Sequence, residues 1–531
     1  VYFCKILPLK RHASISLWLK NNKESLLKMK KWCSAIFITI ILTAGLLANS
    51  NGNSNSNSKK YVLRIGIDSF PASLNPVHAT TETSQAIINK VFDSLFYFNY
   101  KGEISNGLAK DLYLYKNGRE ILIQLKENIF FSDGKELETD DVIQTVKLLQ
   151  NKAFGYPYIS DLRFIEKIEK KDRSSFKIKL KSMFAPWKNR LTFKILNSHE
   201  IQDATPAAFP GIVLSGTGPY KIKTIKKPEK IILELNGNHN SRHMDHMYRF
   251  IEYIVVSYTH LMPLKLLNNE IDIGELQPEH ASAYQGIPKW QQRFKVLKYK
   301  KFGYTYLVSN LRNSTINKNL RKFFYNLLIK GDFLDRFLKN RGERVNTPFL
   351  LLNPKIQPKG FKTTPLKQPV RLKMLTNAES KLRKELVLFL RKELKTHNIN
   401  LEPVFLEYHS FLEYLKKGRF DMAISGFILD IDYDITDIFC SRSFFNYANY
   451  HCPEMEALLA QGLKEPDHQK REEIYMKAHR LWREELPLIP LFNLYYYVGI
   501  SGKITIPKRT YTLVGAVGDF LFNIHDWKTK N

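Results

Sequence analysis

The stretch VRLKMLTNAESKLRKELVLFLRKELKTHNINLEPVFLEYHSFLEYLKKGRFDMAISGF, residues 370–427, decides the fold. Val370–Thr376 alternates apolar and polar residues as a strand does. The following run puts Leu382, Leu386, Phe389, Leu390 and Leu394 on one helical face. Leu401–Glu407 reads as a second strand, 409–417 as a short helix and Asp421–Phe427 as a third strand. A β-α-β-α-β succession predicts an α/β unit with parallel strands. Ligands of such open sheets sit outside the carboxyl ends of the strands. Here that end reads Gly426-Phe427-Ile428-Leu429-Asp430-Ile431-Asp432-Tyr433-Asp434, an acidic cluster that is either a binding edge or a solvated loop.

Outward from this unit, the chain has 531 residues, enough for two or three domains. With 44% hydrophobic and 25% charged residues it is of ordinary globular composition, which excludes wholesale disorder. A single strongly apolar run excludes a polytopic membrane protein. The net charge is +30. Residues 1–58 hold eight Lys/Arg and one Glu, so +23 is spread diffusely over the rest. Such scattered charge fits a basic compartment as well as an anionic partner. Toward the N-terminus, 61–67 alternates as a strand and a helix carries Ile87, Ile88, Val91, Phe92 and Leu95. Short strands are expected around 119–126 and 174–181, with a helix capped by Thr139 or Asp140 between them. Beyond, an amphipathic helix spans 318–339, with Gly331 as a break point, another spans 471–485, and 489–500 reads as a strand.

The apolar run is WCSAIFITIILTAGLLA (32–48), preceded by Met29-Lys30-Lys31 and followed by small residues at Ala48 and Ser50. This is the pattern of a secretory signal peptide, 29–50, and implies a periplasmic address or an uncleaved membrane anchor. Residues 1–28 precede Met29 as an upstream extension. The polar repeat through 51–60 reads as a flexible linker. Cys440 and Cys452 are the two cysteines of the body, and an exported protein permits a disulfide between them.

The landmarks of the body together resemble the family 5 extracellular solute-binding proteins of ABC importers, the oligopeptide, dipeptide and nickel type. The residues that carry the resemblance, over roughly 61–500, are SLNP (73–76), Gly107-Leu108-Ala109, FSDGKELETDDV (131–142), GTGPYK (216–221), Leu267–Ile273, Lys318–Lys322, Asn446–Tyr450 and the helix with PLIPLF in 471–492. Each is weak alone; their order is specific. The resemblance implies an α/β, two-lobed clamshell with mixed sheets. Lobe I would comprise 61–300 and 491–531, with an inserted subdomain about 96–205, and lobe II 301–490. It also implies a monomer that captures short peptides and delivers them to a permease with its ATPase subunits, touching the membrane through the permease alone. In peptide-binding members an aspartate after a G-W-x-x-D strand end neutralises the ligand's α-amino group. Here the segment is GFILD, so Gly426, Phe427 and Asp430 take those positions, with Asp432 the alternative because the loop is two residues longer. Phe427 replaces the family's Trp and lacks its indole N–H. Tyr304 and Tyr306 stand near the expected hinges, where they either line the cleft or pack in the core.

Other chemistry finds less support. Ser132 and Lys135 fit an S-x-x-K pattern without its companion elements. His239, His243, Asp245 and His246 have spacings that suit a metal on a helix, or form a solvated loop. The expectation is therefore no catalytic residue, no metal and no cofactor, and no nucleic-acid partner, since no recognised module is present. Nickel, haem or another small solute on the same fold is the first alternative to peptide. A secreted hydrolase is the alternative from another class.

Overall fold

The computed structural model describes residues 62–531 except 240–247, 367, 508–512, 515–520, 522–526 and 530–531. The leader and His243, Asp245 and His246 lie outside the described residues. Among the described residues no helix is long and apolar enough to cross a membrane.

The architecture is organised by one mixed sheet whose strands run in the order Ile399–Leu406, Val370–Asn377, Met422–Ile428, Gly303–Ser309, Leu488–Ser501, Ile273–Leu276, Val62–Ile67, Phe250–Val255, Lys230–Leu235 and Tyr220–Lys226. The 14-residue strand Leu488–Ser501 belongs to both halves. Its first part pairs antiparallel with Gly303–Ser309, Leu488 opposite Val308. Its second part pairs with Ile273–Leu276 and with Phe294–Lys301, Ser501 opposite Phe294. At about 3.3 Å per residue it runs roughly 45 Å. Phe294–Lys301 and Gly303–Ser309, separated by Phe302, make the same passage in the opposite sense. Among the described residues, two chain passages therefore join the halves.

Each half has its own core. One cluster gathers Leu63, Ile87, Phe131, Val146 and Tyr253 with Val498 and Ile500. The other gathers Leu307, Phe324, Leu386, Phe411 and Ile424 with Ile489 and Phe492. In the second half, Val370–Asn377 pairs parallel with Ile399–Leu406 and, through Met374 and Leu375, with Met422–Ile428, as the alternating pattern predicts. Helix Lys381–Leu394 covers these strands with Leu386, Val387, Leu390 and Leu394, starting at the Ser380 cap. Helix Tyr408–Lys416 buries Phe411 and Leu415. Its first amides are held by the Glu407 carboxylate, which accepts from His409 and Ser410 N–H at 3.0 and 3.2 Å.

In the first half a separate antiparallel sheet has the order Ala109–Tyr115, Glu120–Leu125, Ser175–Leu180, Ile165–Lys170. The helix Thr139–Gln150 is capped one residue earlier than the sequence suggests: Asp141 accepts from Glu138 N–H at 2.8 Å, while the Thr139 hydroxyl donates to Arg173 O. The expected helix 318–339 is three pieces: Lys318–Tyr325, a wider turn Asn326–Lys330, and Phe333–Leu338 after Gly331. The GTGPY glycines have a steric reason. A Cβ on Gly216 or Gly218 would run into the backbone of Val91 and, for Gly218, Lys90. Cys440 and Cys452 are both free thiols.

Candidate functional site

The strand Met422–Ile428 is fully paired on one side with Gly303–Ser309, and on the other registers with Val370–Asn377 only through Met422 and Ala423. Its carboxyl end thus emerges from the sheet with one edge open and leads into the loop Leu429–Ile435. Opposite lie Tyr156–Asp161 and Asn189–Lys194 from the first half. Between the two walls is a cavity of about 600 Å³. Gly426, Phe427 and Asp430 line it from one side, Tyr158, Asp161 and Arg190 from the other. A cavity of this size falls in the usual range for small-molecule sites.

Arg190 is the electrostatic centre of the cavity. Its Nη1 donates to Asp430 Oδ2 at 2.8 Å and its Nη2 to Asp434 Oδ2 at 3.0 Å; Asp161 Oδ2 lies 3.5 Å from Nη1. Asp434 is oriented by its own turn, accepting from Thr436 N–H at 3.0 Å. Asp437 also lines the space. Four carboxylates thus face two cations of the lining, Arg190 and Lys194. Burial pushes the Asp161 carboxyl up to about 6, against the pull of Arg190 and with help from Asp430. Burial likewise raises Asp430, with Arg190 opposing, and Asp437, with Asp434 adding to the effect. Burial by itself would lower Arg190; Asp161, Asp430 and Asp434 more than reverse this and hold its guanidinium charged. Asp161, Asp430 and Asp437 thus each disfavour their own negative charge, which a further cation beside them would relieve.

Asp432 has a different place. Arg471 grips it in a bidentate pair, Nη2 to Oδ1 at 2.6 Å and Nη1 to Oδ2 at 2.9 Å, and Asn189 Nδ2 donates to Oδ2 at 3.2 Å. Asp432 also accepts from Asp434 N–H at 2.8 Å, so it shapes the loop. Of the two aspartates named from sequence, Asp430 lines the cavity and Asp432 does not. Phe427 lines it, with its ring stacked on Tyr306 at 4.4 Å and 15° and set edge-on to Tyr304 at 6.3 Å. Tyr304 and Tyr306 are buried behind Phe427 and hold its ring in place. Ser132 and Lys135 sit in a tight turn, Phe131 N–H donating to Lys135 O at 2.8 Å.

Sequence reasoning did not find Asp161, Arg190 or Asp437. Arg190 is 240 residues from Asp430, and no local pattern announces it.

A family model for bacterial extracellular solute-binding proteins, family 5 (middle part), matches residues 103–445. The chain belongs to that family. Among curated relatives, the oligopeptide-binding protein AppA of Bacillus subtilis is 22% identical over 88% of this chain and 91% of its own length. Among solved structures, AppA of Bacillus subtilis with a nonapeptide superposes with a TM-score of 0.71 at 20% identity, covering 88% of this chain and 99% of that one. NikZ of Campylobacter jejuni with Ni(L-His) gives 0.74 at 20% identity, covering 88% and 100%. The fold is the two-lobed periplasmic-binding-protein fold, and the cavity lies between its lobes.

Proposed function

We propose that this protein is an exported carrier that captures short peptides with a free amino terminus and hands them to an ABC importer permease. The observation that carries the reading is the interlobe wall of Asp161, Asp430, Asp434 and Asp437, on which carboxylates exceed cations. A ligand ammonium entering there joins Arg190 among the carboxylates and relieves their mutual repulsion. Asp430, at the mouth of the third parallel strand, is the anchor. The open edge of Met422–Ile428 offers backbone groups to a peptide main chain, in the manner of an added strand. Phe427, braced by Tyr306, covers the first side chain. The peptide-binding relative AppA supports this assignment. Ligand contacts to both walls favour the closed arrangement, which is the form a permease recognises.

The test is mass spectrometry of ligand released by denaturation after non-denaturing purification from the native host. Co-purified peptides of a few residues are expected. A nickel chelate, haem or other solute would keep the fold and overturn the peptide assignment.

A further inference from the structure

The chain itself supplies a cation to the proposed anchor. Arg190 belongs to a segment fixed in the first core by Trp187, Leu191 and Ile195. Its Nη1 donates to Asp430 Oδ2 at 2.8 Å and its Nη2 to Asp434 Oδ2 at 3.0 Å. Asp430 and Asp434 stand on the loop after Met422–Ile428, which Tyr433 and Ile435 fix in the second core. These bonds therefore cross from one lobe to the other. Beside them Asn189 Nδ2 reaches Ile431 O at 3.3 Å and Asp432 Oδ2 at 3.2 Å. The Arg190 side chain is 17% exposed, and those of Asp430 and Asp434 are 24% and 11%. The pairs are thus shielded from solvent and count for more than exposed ones. Both ends are braced. On one side the Thr192 hydroxyl donates to Asn189 O at 3.0 Å. On the other, Asp432, held by Arg471, accepts from Asp434 N–H at 2.8 Å. The loop is also tied to the strand passage between the lobes: Leu429 N–H donates to Phe302 O at 2.6 Å, and Phe302 and Ile431 pack with Phe98 of the first half. A pull on this loop is a pull on the lobe that carries it.

We propose that Arg190 is a built-in stand-in for the ligand's ammonium, a latch that draws the lobes together before any ligand binds and is displaced from Asp430 when one does. The latch itself is independent of what the ligand is; the displacement rests on the peptide reading above. An ammonium at Asp430 Oδ2 takes the place of Arg190 Nη1. The guanidinium stays beside it, because Nη2 keeps Asp434 at 3.0 Å and Asp161 Oδ2 lies 3.5 Å from Nη1. Two consequences follow from the competition. The closed, latched form is not open to ligand, so apparent affinity falls in proportion to the fraction that is latched. Arg190 also sets a threshold for entry: a solute reaches the anchor only if its own cation satisfies Asp430 better than the guanidinium does, and a neutral or anionic solute has nothing to offer there. Arg190 is in this sense a specificity-determining residue that acts through the carboxylate it occupies.

The experiment is small-angle X-ray scattering from the full chain, as wild type, Arg190→Gln and Arg190→Lys, each with and without trialanine, paired with calorimetric titration of the same proteins. Wild type should be compact without peptide, and saturating trialanine should leave its radius of gyration unchanged. Removing the guanidinium should shift the closed-to-open ratio about 10- to 100-fold toward open, the scale of a charge-assisted contact. Arg190→Gln should therefore have a larger radius of gyration without peptide and return to the wild-type value with trialanine, and Arg190→Lys should lie between. Trialanine should bind Arg190→Gln about 10-fold more tightly than wild type. If Arg190→Gln is as compact as wild type without peptide, or if wild type contracts on adding trialanine, the latch is overturned. Unchanged or weaker affinity in Arg190→Gln overturns the displacement. Should Arg190→Gln fail to fold, Asp430→Asn/Asp434→Asn releases the latch from the other lobe and carries the same scattering prediction. If trialanine binds none of the proteins, the peptide reading is overturned, and the scattering without peptide still decides the latch.

Discussion

Replacing Asp432 by Asn separates loop architecture from ligand recognition. The side chains of Asp432 and Arg471 are 9% and 10% exposed, and two charge-assisted bonds of 2.6 and 2.9 Å join them. Asparagine has nearly the same shape, so no cavity opens. What changes is that Arg471 keeps its charge without a counter-charge, still tied by Nε to Gly462 O at 2.9 Å and flanked by the Tyr433 and Tyr475 rings. Breaking one side of a buried pair in this way costs about 3–5 kcal/mol. Unfolding entropy of about 2.1 cal/mol/K per residue over roughly 470 residues is about 1 kcal/mol/K, so we predict that Tm falls by about 3–5 °C. Differential scanning calorimetry at neutral pH is the assay, with the pair Asp432→Asn/Arg471→Gln as control. The double variant should be clearly less destabilised than the sum of the two single changes. A shift under about 1 °C for Asp432→Asn, or strict additivity in the double variant, refutes the argument that this pair fixes the loop.

Asp430→Asn should weaken peptide binding by about 1.5–3 kcal/mol, some 10- to 150-fold, with little change in Tm because Asp434 and Asp161 still hold Arg190; unchanged affinity by calorimetry removes Asp430 from the anchor role. Asp161 titrates near 6 in the folded protein, above the usual carboxylate value, so the folded state holds its proton more tightly than the unfolded one and this contribution to stability falls as pH rises from about 4 to 6. The Tm of Asp161→Asn relative to wild type should therefore be higher at pH 8 than at pH 5, and an unchanged difference contradicts the raised value. By the same linkage, binding of a cationic ligand should release protons near pH 6, visible as a dependence of binding heat on buffer ionisation; heats that do not vary with buffer speak against an ammonium at this wall. Gly216→Ala should destabilise by about 1–3 kcal/mol, since its Cβ meets rigid backbone at Val91, and a neutral result in urea unfolding counts against that packing.

The α/β unit could be read directly because both periodicities show: apolar–polar alternation from Val370 to Met374, then helical spacing through Leu394. Reading was poorer where local signals compete. Thr139 and Asp140 are good cap residues, yet Arg173 O takes the Thr139 hydroxyl and Glu138 becomes the cap. The helix from Lys318 keeps an apolar face across Gly331, but the face does not reveal the widened turn at Asn326–Lys330. At the site, the acidic loop was visible as composition. Distinguishing Asp430 from Asp432 required partners 240 and 39 residues distant, Arg190 and Arg471, that only the folded chain brings near.

The strand Leu488–Ser501 has a consequence for cooperativity. It contributes Ile489, Leu491 and Phe492 to one core and Val498 and Ile500 to the other. Neither half can melt without stripping one end of a strand whose other end remains clamped in its neighbour. The two cores are thereby thermodynamically linked through one strand that is paired in both halves. Calorimetry should show one transition, and the amides of this strand should exchange with solvent only through global opening, later than those of any helix on either surface. The two halves are thus held together along a strand that keeps them from coming undone separately.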